Sequence, residues 1–199
     1  MTPFESEGEA EHAIAAVPVF GRLLSYWQTL RGVRSAPRRS EIDPCEIAWL
    51  LDRIALVEVV DGGDLRCILA GQQLVAALGR NAANLLGSQI LARQRRPDIW
   101  AIYDDAIANC RPRSGDGQCR LGDGAVLPYS RLLLPLLDDD GRVGFLLAAY
   151  DLRWPPSRKP NALGRVWPGL ATATRAASSF FSRCDPVASG PRRLPIAVA

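Results

Sequence analysis

Ile54-Ala55-Leu56-Val57-Glu58-Val59-Val60, Asp61-Gly62-Gly63-Asp64 and Leu65-Arg66-Cys67-Ile68-Leu69-Ala70 follow one another in the chain. The outer two segments are rich in β-branched and aliphatic residues, and the middle one supplies the glycines and aspartates that a tight reversal needs. They predict a strand, a turn and a second strand closed by Gly71. Beyond it, Gln72 to Leu78 and Ala82 to Leu86 suit short helical turns punctuated by Gly79 and Gly87. Ile99, Trp100, Tyr103, Ile107 and Cys110 then recur at helical spacing, which predicts a longer helix from about Pro97 through Asn109. Three more strands follow, at 113–121, 126–137 and 143–152, joined by Gly122-Asp123-Gly124 and by Asp138-Asp139-Asp140-Gly141, whose residues tolerate turn geometry. Two strands, a cluster of helices and three strands make an α+β fold, with a five-stranded antiparallel sheet and helices on one face.

Upstream of the hairpin, Phe20, Leu23, Leu24, Trp27 and Leu30 line one side of a segment that reaches about Arg31. This is the pattern of an amphipathic helix, with Gly32 as terminator and Pro37 preventing continuation. Arg31, Arg34, Arg38 and Arg39 make the next stretch basic, and it reads as a solvated linker. Asp43 is placed to cap a short helix from Pro44 that would carry Ile47, Trp49, Leu50 and Leu51. Residues 1–17 form an acidic segment expected to be a flexible tail, residues 18–153 the domain, and residues 154–199 a Pro/Arg/Ala-rich extension expected to be partly disordered. A helix interrupted near Pro168 is expected within residues 162–181.

The run Leu24-Ser25-Tyr26-Trp27-Gln28-Thr29-Leu30-Arg31-Gly32, followed by Ala36-Pro37-Arg38-Arg39-Ser40-Glu41-Ile42-Asp43-Pro44, resembles the front of a proteobacterial family of proteins with a single PAS domain. Gly71-Gln72-Gln73-Leu74, Leu78-Gly79-Arg80-Asn81 and Leu85-Leu86-Gly87 are similar to its middle. The resemblance covers about residues 20–153. It implies a PAS fold, a role as a sensor or regulator in signal transduction, no enzyme active site, and a homodimer or another signalling protein as partner. It also implies that small ligands lie between the inner face of the sheet and the helices, and that the N-terminal helix mediates pairing. Phe20, Leu24, Trp27 and Leu30 would then form that pairing face, with packing inside the same chain as the alternative. The output surface would be this helix or the exposed face of the sheet.

No cofactor is predicted. Gly79-Arg80-Asn81-Ala82-Ala83-Asn84-Leu85-Leu86 resembles the Gly-Arg-Asn-Cys-Arg-Phe-Leu-Gln segment of flavin-binding light sensors, but Ala82 stands where the photoreactive cysteine would be and Leu86 where the glutamine would be. Flavin photochemistry is therefore disfavoured. His12 is the single histidine and lies in the acidic tail, which disfavours histidine-ligated haem and leaves Cys110 as a weak substitute ligand. The same fact removes Ser-His-Asp, Cys-His and multi-histidine metal sites. The five cysteines form no C-x-x-C pair, and Cys67, Cys110 and Cys119 read as small apolar core residues. Asp104-Asp105 falls on a helix where neighbours diverge, and Gly115-Asp116-Gly117 reads as turn chemistry.

A net charge of +3 is far from the dense basic character that drives nucleic-acid binding, so nucleic acid is disfavoured as a partner. A DNA-associated regulator using the arginine-rich stretch is the first alternative, and a cryptic small-molecule enzyme the second. No apolar run is long enough for membrane insertion, and no secretory signal stands at Met1, so cytoplasm is the expected location. For an apolar pocket with a few polar anchors, the candidates are Gln73, Trp100, Tyr103 and Arg131. Their ordinary alternatives are core packing for Trp100 and Tyr103, capping for Gln73, and an outward-facing ion pair for Arg131.

Overall fold

The structure, a computed structural model, describes residues 17–158. Apart from residue 17 and residues 154–158, the tail and the C-terminal extension, with His12 and the helix expected at 162–181, lie outside the described residues. Among the described residues four α-helices, α1 (Pro18–Arg31), α2 (Gln72–Leu78), α3 (Gly87–Ile90) and α4 (Pro97–Asn109), accompany five strands, β1 (Ile54–Val60), β2 (Asp64–Ala70), β3 (Arg113–Arg120), β4 (Val126–Leu137) and β5 (Val143–Leu152). All neighbours in the sheet are antiparallel and the order is β2-β1-β5-β4-β3. The chain thus makes an edge hairpin, crosses through three helices, and returns with a meander that inserts β5 beside β1.

Side chains alternate across the sheet because successive strand residues point to opposite faces. Ile54, Leu56, Leu132, Leu134, Leu136, Leu147 and Ala149 join Phe20, Leu23, Leu24 and Trp27 of α1 in one core. Ala55, Val57, Leu65, Cys67, Leu133, Leu146 and Ala148 face the other way, toward Leu74 of α2 and Trp100 and Ala106 of α4. So α2, α3 and α4 gather on one face as expected, and α1 closes the face that the sequence had left open. The Trp27 Nε1–H donates to the Pro135 carbonyl at 2.8 Å, fixing α1 to β4. Phe20, Leu24 and Trp27 are therefore buried in their own chain, and Leu30 is half-buried. Of the two readings of that helix face, the geometry displays packing within the chain.

Three local expectations are corrected. The segment after Asp43 is an Asx turn, in which the Cys45 N–H donates to Asp43 Oδ1 at 2.9 Å, followed by a 3-10 helix at Ala48–Arg53 in place of a capped α-helix from Pro44. Residues 82–86 do not coil into a helix. Asn84, with φ 67°, lets this segment run beside β2, where the Asn84 N–H donates to the Cys67 carbonyl at 2.7 Å and the Cys67 N–H to the Leu85 carbonyl at 3.0 Å. Gly87 consequently opens α3 where a terminator was expected. Finally, Gly115-Asp116-Gly117 is not a turn but the middle of β3, paired with Arg131, Ser130 and Tyr129.

Candidate functional site

Between the inner face of the sheet and α2–α4 lies a cavity of about 630 Å³. Its volume is typical of sites that enclose small molecules. Ala55 and Val57 of β1, Leu65 and Cys67 of β2 and Leu74 of α2 form apolar walls, with Ile99 and Trp100 of α4 across from them. The small residues Ala55, Ala70, Ala77 and Ala82 create the space: each replaces the reach of a larger side chain by one methyl group. Leu78 and Val126, 41% and 48% exposed, also line the cavity and mark its opening.

The polar groups converge on β4, β5 and α4. Arg131 and Tyr150 are directly opposite in the β4–β5 register. The Tyr103 and Tyr150 hydroxyls lie 2.8 Å apart, and the Tyr129 and Tyr150 rings meet edge to face with centroids 5.7 Å apart. The Arg131 guanidinium lies over the Tyr103 ring at 5.3 Å, a favourable cation–π arrangement. Arg131 is only 2% exposed, and its Nε has no hydrogen-bond partner. Among the described residues no carboxylate pairs with it.

Two glycines make this geometry sterically available. A Cβ on Gly117 would sit 2.5 Å from the Tyr129 ring, so the bare backbone of β3 is what lets that ring lie across the strand. A Cβ on Gly87 would come within 2.6 Å of Trp100 Cη2, so α3 approaches α4 only with glycine there. Trp100 is then held by its Nε1–H, which donates to the Leu91 carbonyl at 3.0 Å, and by Arg93 stacked 4.2 Å from its ring.

Burial governs the titration of these groups. Tyr150 is pushed well above the ordinary tyrosine value, first by burial and then by the neighbouring Tyr103, so it is a neutral phenol at physiological pH. Tyr129 is raised by burial, with Arg131 opposing. The Cys67 thiol, whose hydrogen bonds to the Leu69 carbonyl, is pushed up to about 11 by burial.

Three of the four candidate ligand residues, Trp100, Tyr103 and Arg131, thus line one cavity. Arg131 faces inward, in contrast to the outward ion pair held as its alternative. Gln73 is corrected: it is buried but is not among the cavity-lining residues, and its Nε2–H donates to Asp52 Oδ2 at 2.6 Å, tying α2 to the 3-10 helix before β1. Cys110, the substitute haem ligand, packs against the core under α1 and does not line the cavity. Ala82 is a buried part of the cavity wall, where a photoreactive cysteine would be needed. Tyr129, Tyr150, Cys67, Arg96 and Arg120 were missed. Period-two alternation from Arg131 would have placed Tyr129 beside it, whereas Tyr150 needs the strand register.

Several other charged groups have structural partners. Asp105 pairs with Arg113, and Asp104 with Arg93 at 2.5 Å. Within the basic stretch, Arg34 pairs with Glu41 at 2.9 Å, Arg31 lies 5.5 Å over Trp27, and Arg39 lies 4.8 Å over Phe145. Among the described residues no cluster of three or more His, Cys, Asp or Glu could hold a metal, and no helix is long and apolar enough to cross a membrane.

The sheet order, the helical crossover and the enclosed inner face define a PAS-type domain. A family model described as a PAS domain matches residues 16–150, and the chain belongs to that family. A search of curated proteins finds no match. Among solved structures, the chain is similar to the PAS domain of a protein from Colwellia psychrerythraea, with 13% identity, TM-score 0.40, and 54% of this chain and 93% of that one covered. It is also similar to a Rhodobacter sphaeroides LOV protein, with 16% identity, TM-score 0.41 and coverage of 55% and 66%. A third is an RNA-binding light-oxygen-voltage receptor, with 18% identity, TM-score 0.41 and coverage of 76% and 36%. Membership of the PAS family makes the chain a sensory or regulatory module.

Proposed function

We propose that this PAS module receives a small ligand in its inner cavity and passes the resulting change to a second copy of the chain or another signalling protein, with no bond made or broken by its own residues. The observation that carries this reading is the cavity under α2–α4, with its few convergent polar groups among apolar walls. A route outward is supplied by β4. Its inner face bears Arg131, and four residues on, the Pro135 carbonyl holds Trp27 of α1. A ligand that shifts β4 against β5 therefore acts on the seating of α1, whose outer side, including Arg22, Ser25 and Thr29, is exposed. The exposed side is the part of α1 available for partner contacts.

Native mass spectrometry of protein purified from its own host, with an ultraviolet-visible spectrum, tests the proposal. A defined extra mass that is lost on replacing Leu74 with Trp, which fills the cavity, is the expected result. A colourless, ligand-free protein from every growth condition, with the same subunit number throughout, would overturn the ligand-responsive reading and leave a constitutive protein-interaction module.

A further inference from the structure

We infer that the ligand is an organic carboxylate with an apolar body, its carboxylate held by Arg131 and by the Tyr103–Tyr150 hydroxyl pair. This rests on the reading of the cavity as a ligand site. It starts from an imbalance of charge. The charged residues that line the cavity are Arg96, Arg120 and Arg131, and among the described residues no aspartate or glutamate lines it. Arg96 is paired with Asp98 at 2.7 Å, and Arg120 donates to the Gly124 carbonyl at 2.9 Å. Arg131 has neither kind of partner, although it is the most enclosed of the three. A guanidinium taken out of water without an anion is costly, and the Tyr103 ring offsets part of that cost only.

The neighbouring phenols select the same kind of group. Two hydroxyls 2.8 Å apart hold two protons, of which one lies between them. The other is left to donate to a third atom. Guanidinium N–H groups and one phenolic O–H are together a donor set for the two oxygens of a carboxylate, and charge-assisted bonds of this kind are the strong ones. The rest of the cavity, from Ala55 and Val57 to Leu74 and Trp100, offers carbon surface to the remainder of the molecule. A phosphate dianion would leave charge uncompensated at a single buried guanidinium, so a monoanion suits the site.

Isothermal titration calorimetry of the full chain with two matched pairs tests this: decanoate against 1-decanol, and naphthalene-2-acetate against 2-(2-naphthyl)ethanol. At least one acid should bind about tenfold or more tightly than its alcohol. Arg131→Met should abolish that preference while leaving the alcohol bound, and Tyr150→Phe should reduce it by about threefold to tenfold. If Arg131→Met does not fold, Arg131→Gln serves, with the same expected loss. Alcohols binding as well as acids, with both lost in Leu74→Trp, would overturn the carboxylate assignment and keep the ligand site. Binding of none of the four probes would overturn the assignment, and a bound mass from the host protein would then decide the fate of the ligand site separately.

Discussion

The two faces of the sheet are made by alternate residues of the same strands, yet they are built to opposite ends. On the face under α1, Leu132, Leu134, Leu136, Leu147 and Ala149 are completely buried and interlock with Phe20, Leu23 and Trp27. One residue along, the face under α2–α4 carries Tyr129, Arg131 and Tyr150 around a cavity. The first face is packed for stability. The second gives up packing and holds a buried cation that no described carboxylate pairs with, the kind of local cost that a proposed binding site would carry. The difference teaches that close packing and open space can be assigned to the even and odd positions of one strand.

Tryptophans on opposite faces offer the largest test. Trp27→Ala removes a fully buried indole and its bond to Pro135, and should cost ~3–5 kcal/mol by urea denaturation. Trp100→Ala removes a side chain that already borders empty space, and the loss should be smaller by ~1 kcal/mol or more. Equal losses would break the contrast between the faces. The alanines sharpen it further. Ala149→Leu forces extra volume into the packed face and should cost ~1–3 kcal/mol, whereas Ala55→Leu projects into the cavity and should change stability by less than ~1 kcal/mol. Thermal melts of both variants would measure this, and an Ala55→Leu penalty matching that of Ala149→Leu would show that the cavity is not open to added carbon.

Arg131→Met is expected to stabilise the ligand-free protein by ~1–2 kcal/mol, because it replaces an enclosed, unpaired charge by an apolar chain of similar length. The lost contact with Tyr103 limits the gain. A melting temperature that falls in this variant would mean that the guanidinium is satisfied within the chain and needs no ligand.

The fold was legible because its signals are local. The bounds of β1, β4 and β5, the Gly32 terminator of α1 and the span of α4 follow from β-branched runs, turn residues and helical spacing. Part of the cavity lining was legible for the same reason: Trp100 and Tyr103 share a helix face, and Arg131 is a lone charge in an apolar strand. What could not be seen depends on pairing between distant segments. Arg131 opposite Tyr150 is a matter of register, and Gly115 and Gly117 read as turn residues until Ile102 of α4 is packed on the first and Tyr129 of β4 is laid across the second. Gln73 misled because polarity in an apolar helix suggests a ligand, while its actual partner, Asp52, belongs to an element 21 residues earlier. The covering of the first face by α1 was likewise a tertiary choice, since an amphipathic stripe states that it will be buried but not against what.

The smallest expected effect concerns the cavity wall and its response to pH. Cys67 has a thiol pushed up to about 11 from an ordinary 9.0, because burial disfavours the thiolate. In the unfolded chain the thiol would lose its proton at the ordinary value, so between these two values the folded state binds more protons than the unfolded one. The contribution of Cys67 is therefore fully present below pH 9 and is lost as pH rises from about 9 toward 11. Tyr150, raised in the same direction, adds to the fall above about pH 10. Cys67→Val removes the first of these contributions and leaves the others, so between pH 9 and 10 its urea-denaturation midpoint should fall less steeply than that of the unaltered chain, the remaining slope coming from Cys119, whose thiol burial also raises. A parallel fall from pH 9 in both proteins would place the early titration elsewhere, and would mean that the wall around Cys67 is open enough to water for its thiolate to form without penalty.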